Sequence, residues 1–433
     1  MARSARRPGR QAQVTGLFVS LLQACASVGP PPGGPPDKAP PKIVSVKPDS
    51  GAIVPNFKDD VVIQFDDVID EMAGGGGGGG GGRGGGGVAG LERQVLLSPV
   101  HGDVKVSWHR TKVTVKPKEG WKRRVYRLEI LPGFIDLRRN RLDSAKTVLF
   151  STGPEIGHAR IGGIALKWIE QTILARALIE AVPLPDSAGY LTMADSGGQF
   201  NLTNLQPGRY IVYATADENG DRGRGVREAY DSTEVTLDSS SNVALFTFPH
   251  DTVPPRPRTA TSLDSTTVRV EFTQALDPTA SFDTAHVHVL ELPDSTPVAT
   301  TQVLTQRQYD SLTNAARAKA DSTKPVVHDT TPHKLPPQAA RGPAGGGGGA
   351  PRSPAKAPVD TTLVRQLLAR RPVPSDKIVV RLVRPMKPEA RYVVRVAGAT
   401  NLIGKKGDGL IGFAMPKPVV SDTTHHAPRT GRP

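Results

Sequence analysis

The feature that most constrains this chain is a period-two alternation of apolar and polar residues over short segments. The segment "DVVIQFDDVID" places Val61, Ile63 and Phe65 on one face, and "DVKVSWHRTKVTVKP" has the pattern of a hairpin with a polar turn. Side chains alternate between the two faces of a strand, whereas a helix repeats about every 3.6 residues. The chain is therefore predicted to form antiparallel sheets that each bury one face.

Length and composition indicate several small units rather than one large core. The chain has 433 residues, with 46 Gly, 40 Pro and 37% hydrophobic residues. A single core stops growing beyond about 250–300 residues. Much of the Gly and Pro lies in a few tracts, which predict linkers and inserts between folded units.

Three β-sandwich units are predicted. The first covers 40–153, the second covers 155–250, and the third is split into 253–305 and 372–418. About seven short strands can be read in the first unit, a number typical of a sandwich of its length. Within the second unit, "TILARALIEAV" fits either a strand or a helix. The fold class is predicted to be all-β, as tandem sandwiches.

Several low-complexity segments interrupt these units. Residues 306–371 are predicted to be a disordered insert, although "TTLVRQLLARR" at its end has a helical pattern. The poly-Gly tract 74–87 lies between two predicted strands and lacks the "GxxxxGK[ST]" and "GxGxxG" patterns of phosphate-binding loops. It is predicted to be a surface loop, and residues 419–433 a disordered tail.

The first unit carries, in order, "PPKIVSVKPDSGA", "VVIQFDDVID", Tyr126, "GFIDLRRNRL" and "LFST". These residues resemble the SbsA-type bacterial Ig-like domain. Asp136, Asn140 and Leu142 match the ending of that family, and Arg139 stands where the family has Gly. The third unit echoes the first through "YVVRV" and "TNLIGKKGDGLIGF". The resemblance implies that the third unit is a second, divergent Ig-like domain.

The second unit contains "GGQFNLTNLQPGRYIVYATADENGD". This stretch is similar to the carboxypeptidase-regulatory, transthyretin-like sandwich. Neither family carries catalysis within such modules, so the resemblances imply no catalytic residues. The sequence also lacks the "GxSxG" and "HExxH" patterns of common hydrolases, and a non-enzymatic protein is therefore predicted.

Cys25 is the one cysteine of the chain and follows an apolar run. Residues 1–24 have the basic start, short apolar centre and small final residues of a signal peptide. The letters "LLQAC" resemble the lipobox of bacterial lipoproteins, which implies that Cys25 is lipidated; an ordinary signal with an incidental cysteine is the alternative. Residues 25–39 are predicted to be a flexible tether. Ala26 after the cysteine resembles lipoproteins of the outer membrane, a rule that applies only if the source has one.

A candidate calcium loop lies in the second unit. Asp217, Asn219, Asp221 and Glu228 occupy positions 1, 3, 5 and 12 of a calcium-binding loop. Position 6 of such a loop is Gly, whereas this chain has Arg222. Because "NG" is also a strong turn signal, a plain hairpin connection accounts for the same letters. Calcium is the one cofactor that the sequence suggests.

The chain is basic, with a formal net charge of +14. Between Asp103 and Lys146 there are thirteen Lys and Arg against five Asp and Glu. This cluster fits either a surface for an anionic envelope polymer or an ordinary solvated face. Aromatic residues are too sparse there to indicate nucleic-acid binding.

Taken together, these features predict a lipid-anchored cell-envelope protein with a structural or adhesive role. A carbohydrate- or peptide-binding surface module is the alternative, and an enzyme with an inter-domain site is a third reading. The membrane, through Cys25, is the predicted partner, together with an anionic envelope polymer or another surface protein.

Overall fold

A computed structural model describes residues 37–70, 90–280, 282–322 and 361–417, with the backbone alone for 316–322 and 361. The predicted signal peptide 1–24, Cys25, most of the tether, the poly-Gly tract and the predicted tail lie outside the described residues. Among the residues that are described, no helix is both long and apolar enough to cross a bilayer.

Two sheets face each other in the first unit. One has the strand order β1-β2-β5-β4 and the other the order β3-β6-β7. Between them lies a core that includes Ile63, Phe65, Tyr126 and Phe150, as the alternating pattern predicts. The strands are β1 (Ile43–Lys47), β2 (Val61–Phe65), β3 (Val95–Ser98), β4 (Val104–His109), β5 (Lys112–Pro117), β6 (Val125–Ile130) and β7 (Lys146–Ser151).

The second unit joins seven strands in the order β11-β10-β13-β14-β15-β8-β12, with β9 beside β8. Strands β14 and β15 pair only at Ala229 and Tyr230, so the sheet turns a corner there and encloses one core. The strands are β8 (Ala159–Lys167), β9 (Thr172–Ile173), β10 (Leu178–Pro183), β11 (Tyr190–Met193), β12 (Gln199–Leu205), β13 (Gly208–Thr215), β14 (Ala229–Leu237) and β15 (Ser240–Pro249). The ambiguous "TILARALIEAV" thus forms strands β9 and β10.

The third unit repeats the architecture of the first. Its sheets have the orders β16-β17-β21-β20 and β19-β18-β22-β23 around one core. The strands are β16 (Pro257–Asp264), β17 (Thr267–Leu276), β18 (Val287–Glu291), β19 (Thr296–Val298), β20 (Thr300–Thr305), β21 (Ser375–Leu382), β22 (Arg391–Thr400) and β23 (Lys406–Ala414). All three units are therefore β-sandwiches, and the predicted all-β class is confirmed.

The first and third units share a turn with the same pattern of hydrogen bonds. Asp136 Oδ1 accepts the backbone N–H groups of Arg138 and Asn140, both at 2.8 Å. Asn401 Oδ1 accepts those of Ile403 and Lys405, two and four residues on. The residue three positions on has a left-handed backbone in both turns, which Gly adopts without steric cost. In the third unit that residue is Gly404 (φ 82°), and in the first it is Arg139 (φ 68°).

Two helices lie within the segment that we expected to be disordered. They are α1 (Gln306–Ser322) and α2 (Thr361–Ala369), so disorder of the whole range 306–371 is wrong at both ends. Helix α2 fits the helical pattern of "TTLVRQLLARR". The apolar face of α2 includes Val364, Leu367 and Leu368. This face packs on β8 and β15 of the second unit and holds the helix in place. In helix α1, Gln306 accepts a hydrogen bond at 2.8 Å from Arg269 of β17.

Candidate functional site

The first and second units meet along the outer face of sheet β3-β6-β7. Strand β6 is buried at all six positions, because Tyr126, Leu128 and Ile130 face the core while the opposite face meets the second unit. Strand β11 packs against β3 and β6, and its Leu191 N–H donates to Ser98 Oγ at 2.9 Å. The structure therefore makes a second interior between two sandwiches.

A charged pair is buried in this junction. Arg127 is 5% exposed and Glu129 is 7% exposed, with 3.8 Å between Arg127 Nε and Glu129 Oε2. Burial lowers the pKa of Arg127, and it raises the pKa of Glu129 against hydrogen bonds from Thr192 and Met193. Arg127 Nε and Nη1 and Glu129 Oε2 have no hydrogen-bond partner among the described residues. This pair is not apparent from the sequence, because "VYRLEI" has the pattern of a strand with one solvated face.

Three of the four predicted calcium ligands lie together. Carboxylate oxygens of Asp217, Asp221 and Glu228 lie within 4.8 Å of one another. The fourth, Asn219, instead points its amide group at Asp221: Nδ2 donates to Asp221 Oδ2 at 2.8 Å, and Oδ1 accepts the Asp221 N–H. Asp217 accepts the backbone N–H groups of Gly220 and Arg222. The loop therefore gathers the acids, with Asn219 fixing one of them.

Glu228 stands apart from the other two acids in its burial. The residue is 8% exposed, whereas Asp221 is exposed. Glu228 Oε2 accepts the Gly225 N–H at 2.8 Å, while its Oε1 is buried without a hydrogen-bond partner among the described residues. A buried carboxylate oxygen without a hydrogen-bond donor raises the free energy of the folded state. A donor or a cation beside this oxygen would therefore stabilise the fold.

Arg222 connects this loop to the first unit. Its backbone is left-handed (φ 63°), the conformation for which position 6 of a calcium loop normally uses Gly. Its guanidinium donates to the backbone carbonyls of Val95 and Glu92 across the junction. Burial lowers the pKa of Arg222 to about 10, although nearby Asp217 and Glu92 favour its charged form. The side chain thus stays protonated at neutral pH and bridges the two units.

A cleft of about 630 Å³ opens beside this loop, between the first two units. Its lining includes Glu92, Val104 and Lys118 from the first unit and Glu180, Leu191 and Asp221 from the second. The Arg224 guanidinium lies 3.5 Å from the centre of the Tyr213 ring and 3.8 Å from Glu180, which lines the cleft. Burial raises the pKa of Glu180, and Arg224 opposes this shift.

The basic cluster of the first unit is partly used within the protein. Lys116 pairs with Asp60 at 3.0 Å, Lys118 with Asp103 at 2.7 Å, and Arg124 with Asp186 of the second unit at 3.7 Å. Arg127 is buried in the junction. The cluster therefore contributes intramolecular ion pairs and part of the junction as well as exposed charge.

Comparisons with known proteins give structural matches only. No family model and no curated protein matches the chain. The chain is similar to the N-terminal part of the bacterial S-layer protein SbsC (13% identity, TM-score 0.21), a match that covers 39% of this chain and 24% of that one.

Two further solved structures are similar at comparable levels. The L,D-transpeptidase from Mycobacterium smegmatis is 13% identical, with 41% of this chain and 77% of that chain covered and a TM-score of 0.18. BcpA, the major pilin subunit of Bacillus cereus, is 11% identical, with 48% and 70% covered and a TM-score of 0.18.

Proposed function

We propose that this protein is a lipid-anchored, non-enzymatic protein of the cell envelope with a structural or adhesive role. The observation that carries the proposal is the succession of three β-sandwiches, joined by packed junctions, behind the lipobox-like "LLQAC". Two or more acyl chains anchor a protein stably on a membrane, whereas a single acyl chain gives only reversible binding. Lipidated Cys25 would supply the anchor, and residues 25–39 would supply the tether.

The junctions explain why such a chain suits a structural role. Between the first two units, Arg222 and Ser98 make hydrogen bonds that cross the junction. Between the second and third, helix α2 packs an apolar face on β8 and β15. Relative motion of domains is limited where their interface buries apolar surface, so the apolar contact of α2 would help to hold the second and third sandwiches as a connected series.

The second candidate function is a carbohydrate- or peptide-binding surface module. The cleft of about 630 Å³ between the first two units favours it, because ligand pockets have volumes of about 300–1,000 Å³. Acidic and basic side chains both line this cleft, among them Glu180 and Lys118. An anionic envelope polymer would instead contact the exposed remainder of the basic cluster.

The anchoring proposal is tested by replacing the cysteine in a bacterium that processes lipoproteins. Cys25→Ser should abolish metabolic palmitate labelling and release the protein from the membrane fraction, because the thiolate is the nucleophile that takes the lipid. Ser27→Ala, two residues away, should keep both the label and the membrane association. Unchanged labelling of the Cys25→Ser variant would contradict the proposal.

A further inference from the structure

The carboxylate of Glu228 is buried but only partly hydrogen-bonded within the described residues. Its Oε1 has no hydrogen-bond donor among the described residues. One oxygen of the same carboxylate lies within 4.8 Å of an oxygen of Asp217 and an oxygen of Asp221. Like charges at such separations repel, and the repulsion is strongest where water is excluded. A bound cation would give the unpaired oxygen a partner and would offset the repulsion between the carboxylates.

We propose that Asp217, Asp221 and Glu228 bind one calcium ion, and that Arg222 couples its binding to the first unit. Three carboxylates form a hard, all-oxygen ligand set, which calcium prefers. Calcium takes about six to eight oxygen ligands, so water and backbone carbonyls would complete its shell. This inference is independent of the anchoring of Cys25.

The arginines of the loop would oppose a cation if they pointed at the carboxylates. Two of them are held elsewhere. The Arg222 guanidinium is bound to the Val95 and Glu92 carbonyls, and the Arg224 guanidinium lies over the Tyr213 ring near Glu180. The third, Arg227, is exposed, where solvent screens its charge. A further guanidinium, that of Arg93 in the first unit, lies beside Gly220 of the loop, so a cation would bind next to this positive charge.

The coupling to the first unit follows from the position of Arg222 in the loop. Its backbone N–H donates to Asp217 Oδ2 at 3.1 Å, while its side chain holds two carbonyls of the first unit. A cation that fixes Asp217 therefore fixes the residue that bridges the junction. Binding energy at the loop is then shared with the segment 92–95, which lies outside the site.

Calcium binding is tested by calorimetry on the full-length chain with calcium chloride as the titrant. The unaltered protein should give saturable heat with a stoichiometry near one. Glu228→Gln, which keeps the shape and removes the charge, should abolish this heat. Asp221→Asn should also abolish it, and because Asp221 is exposed, this variant separates ligand loss from misfolding.

Glu218→Gln is the matched control, because it removes the same charge from an exposed position in the same loop outside the triad. It should bind calcium as the unaltered protein does. Absence of saturable heat at millimolar calcium would overturn the site. Equal loss in Glu218→Gln would also overturn it, since the binding would then reflect diffuse loop charge.

The coupling is tested by amide hydrogen exchange over residues 92–97 with and without calcium. Calcium should slow this exchange by about fivefold or more in the unaltered protein. Arg222→Met should still bind calcium but lose the slowing, whereas the exposed Arg227→Met, with the same loss of charge, should keep it. Exchange over 92–97 that ignores calcium, or slowing that persists in Arg222→Met, would overturn the coupling.

Discussion

The two junctions between the sandwiches are built from different chemistry. The first buries the pair Arg127 and Glu129 and uses the hydrogen bonds of Arg222. The second packs Leu368 of α2 in a cluster with residues of β8 and β15, beside a cavity of about 1090 Å³. At its edge, the Arg371 guanidinium lies 4.5 Å from the centre of the Phe246 ring. The first junction thus buries charged groups beside apolar residues such as Leu96 and Val125, whereas the second centres on an apolar contact.

This difference predicts different sensitivities. Removal of one member of a buried ion pair leaves an uncompensated charge, whereas replacement of both by apolar residues is often neutral. An apolar contact instead responds to lost volume. The first junction should therefore be sensitive to unpaired charge, and the second to cavities.

The largest effect is expected for Arg127→Met. It leaves the Glu129 carboxylate buried without its cation and should lower the free energy of opening of β6 by about 3–5 kcal/mol. Hydrogen exchange of β6 amides in the full-length chain measures this change. The double variant Arg127→Met/Glu129→Leu should recover most of the loss. A double variant as unstable as the single one would show that packing, rather than charge, dominates.

A smaller effect is expected for Leu368→Ala at the second junction. The side chain is buried against Ile164, Leu166 and Phe246, and Leu→Ala changes cost about 2–5 kcal/mol in rigid cores. Because α2 can settle toward β8 and β15, we expect about 2 kcal/mol. Limited proteolysis with trypsin, which can cut after Arg370 but not at the Arg371–Pro372 bond, should be faster in this variant. Gln366→Ala, exposed on the same helix, should be cleaved at the original rate.

The smallest effect is expected for Trp168→Phe. Trp168 Nε1 donates to the Pro372 carbonyl at 3.1 Å, which ties the end of the insert to the second unit. The change keeps an aromatic ring beside Phe248 and removes one hydrogen bond, which should cost about 1 kcal/mol. The melting temperature of the full-length chain provides the measurement. An unaltered melting temperature would contradict this prediction and would show that water replaces the lost hydrogen bond without a loss of stability.

Local patterns of the sequence predicted much of this fold. The alternation in "DVVIQFDDVID" predicted β2, and the echo between the first and third units anticipated their common sheet orders. The residue spacing of a calcium loop selected Asp217, Asp221 and Glu228, which the structure brings together. The strand and loop predictions depend on residues close in sequence, whose relative positions are fixed by strand or turn geometry. The echo depends instead on two segments that share the same local pattern.

The sequence predicted the acidic residues of the candidate site but not the contact of this loop with the first unit. The letters of the loop suggested calcium ligands, yet Arg222 was read as a departure from the pattern because position 6 is normally Gly. Its bonds to Glu92 and Val95 join residues more than a hundred positions apart. No spacing rule relates such residues, so the bridge became apparent only from the folded chain.

By itself, the sequence determined the class of fold, because apolar alternation selects strands and buries one face of each sheet. Tertiary structure alone decided what the other faces do. In "VYRLEI" the polar positions Arg127 and Glu129 have the pattern of a solvated face, yet the second unit covers them. In "TTLVRQLLARR" the apolar stripe predicted a helix but not its partner, which is the outer face of β8 and β15. The periodicity of apolar residues shows that one face of a strand or helix must be buried. Which element buries that face depends on contacts between residues far apart in the chain.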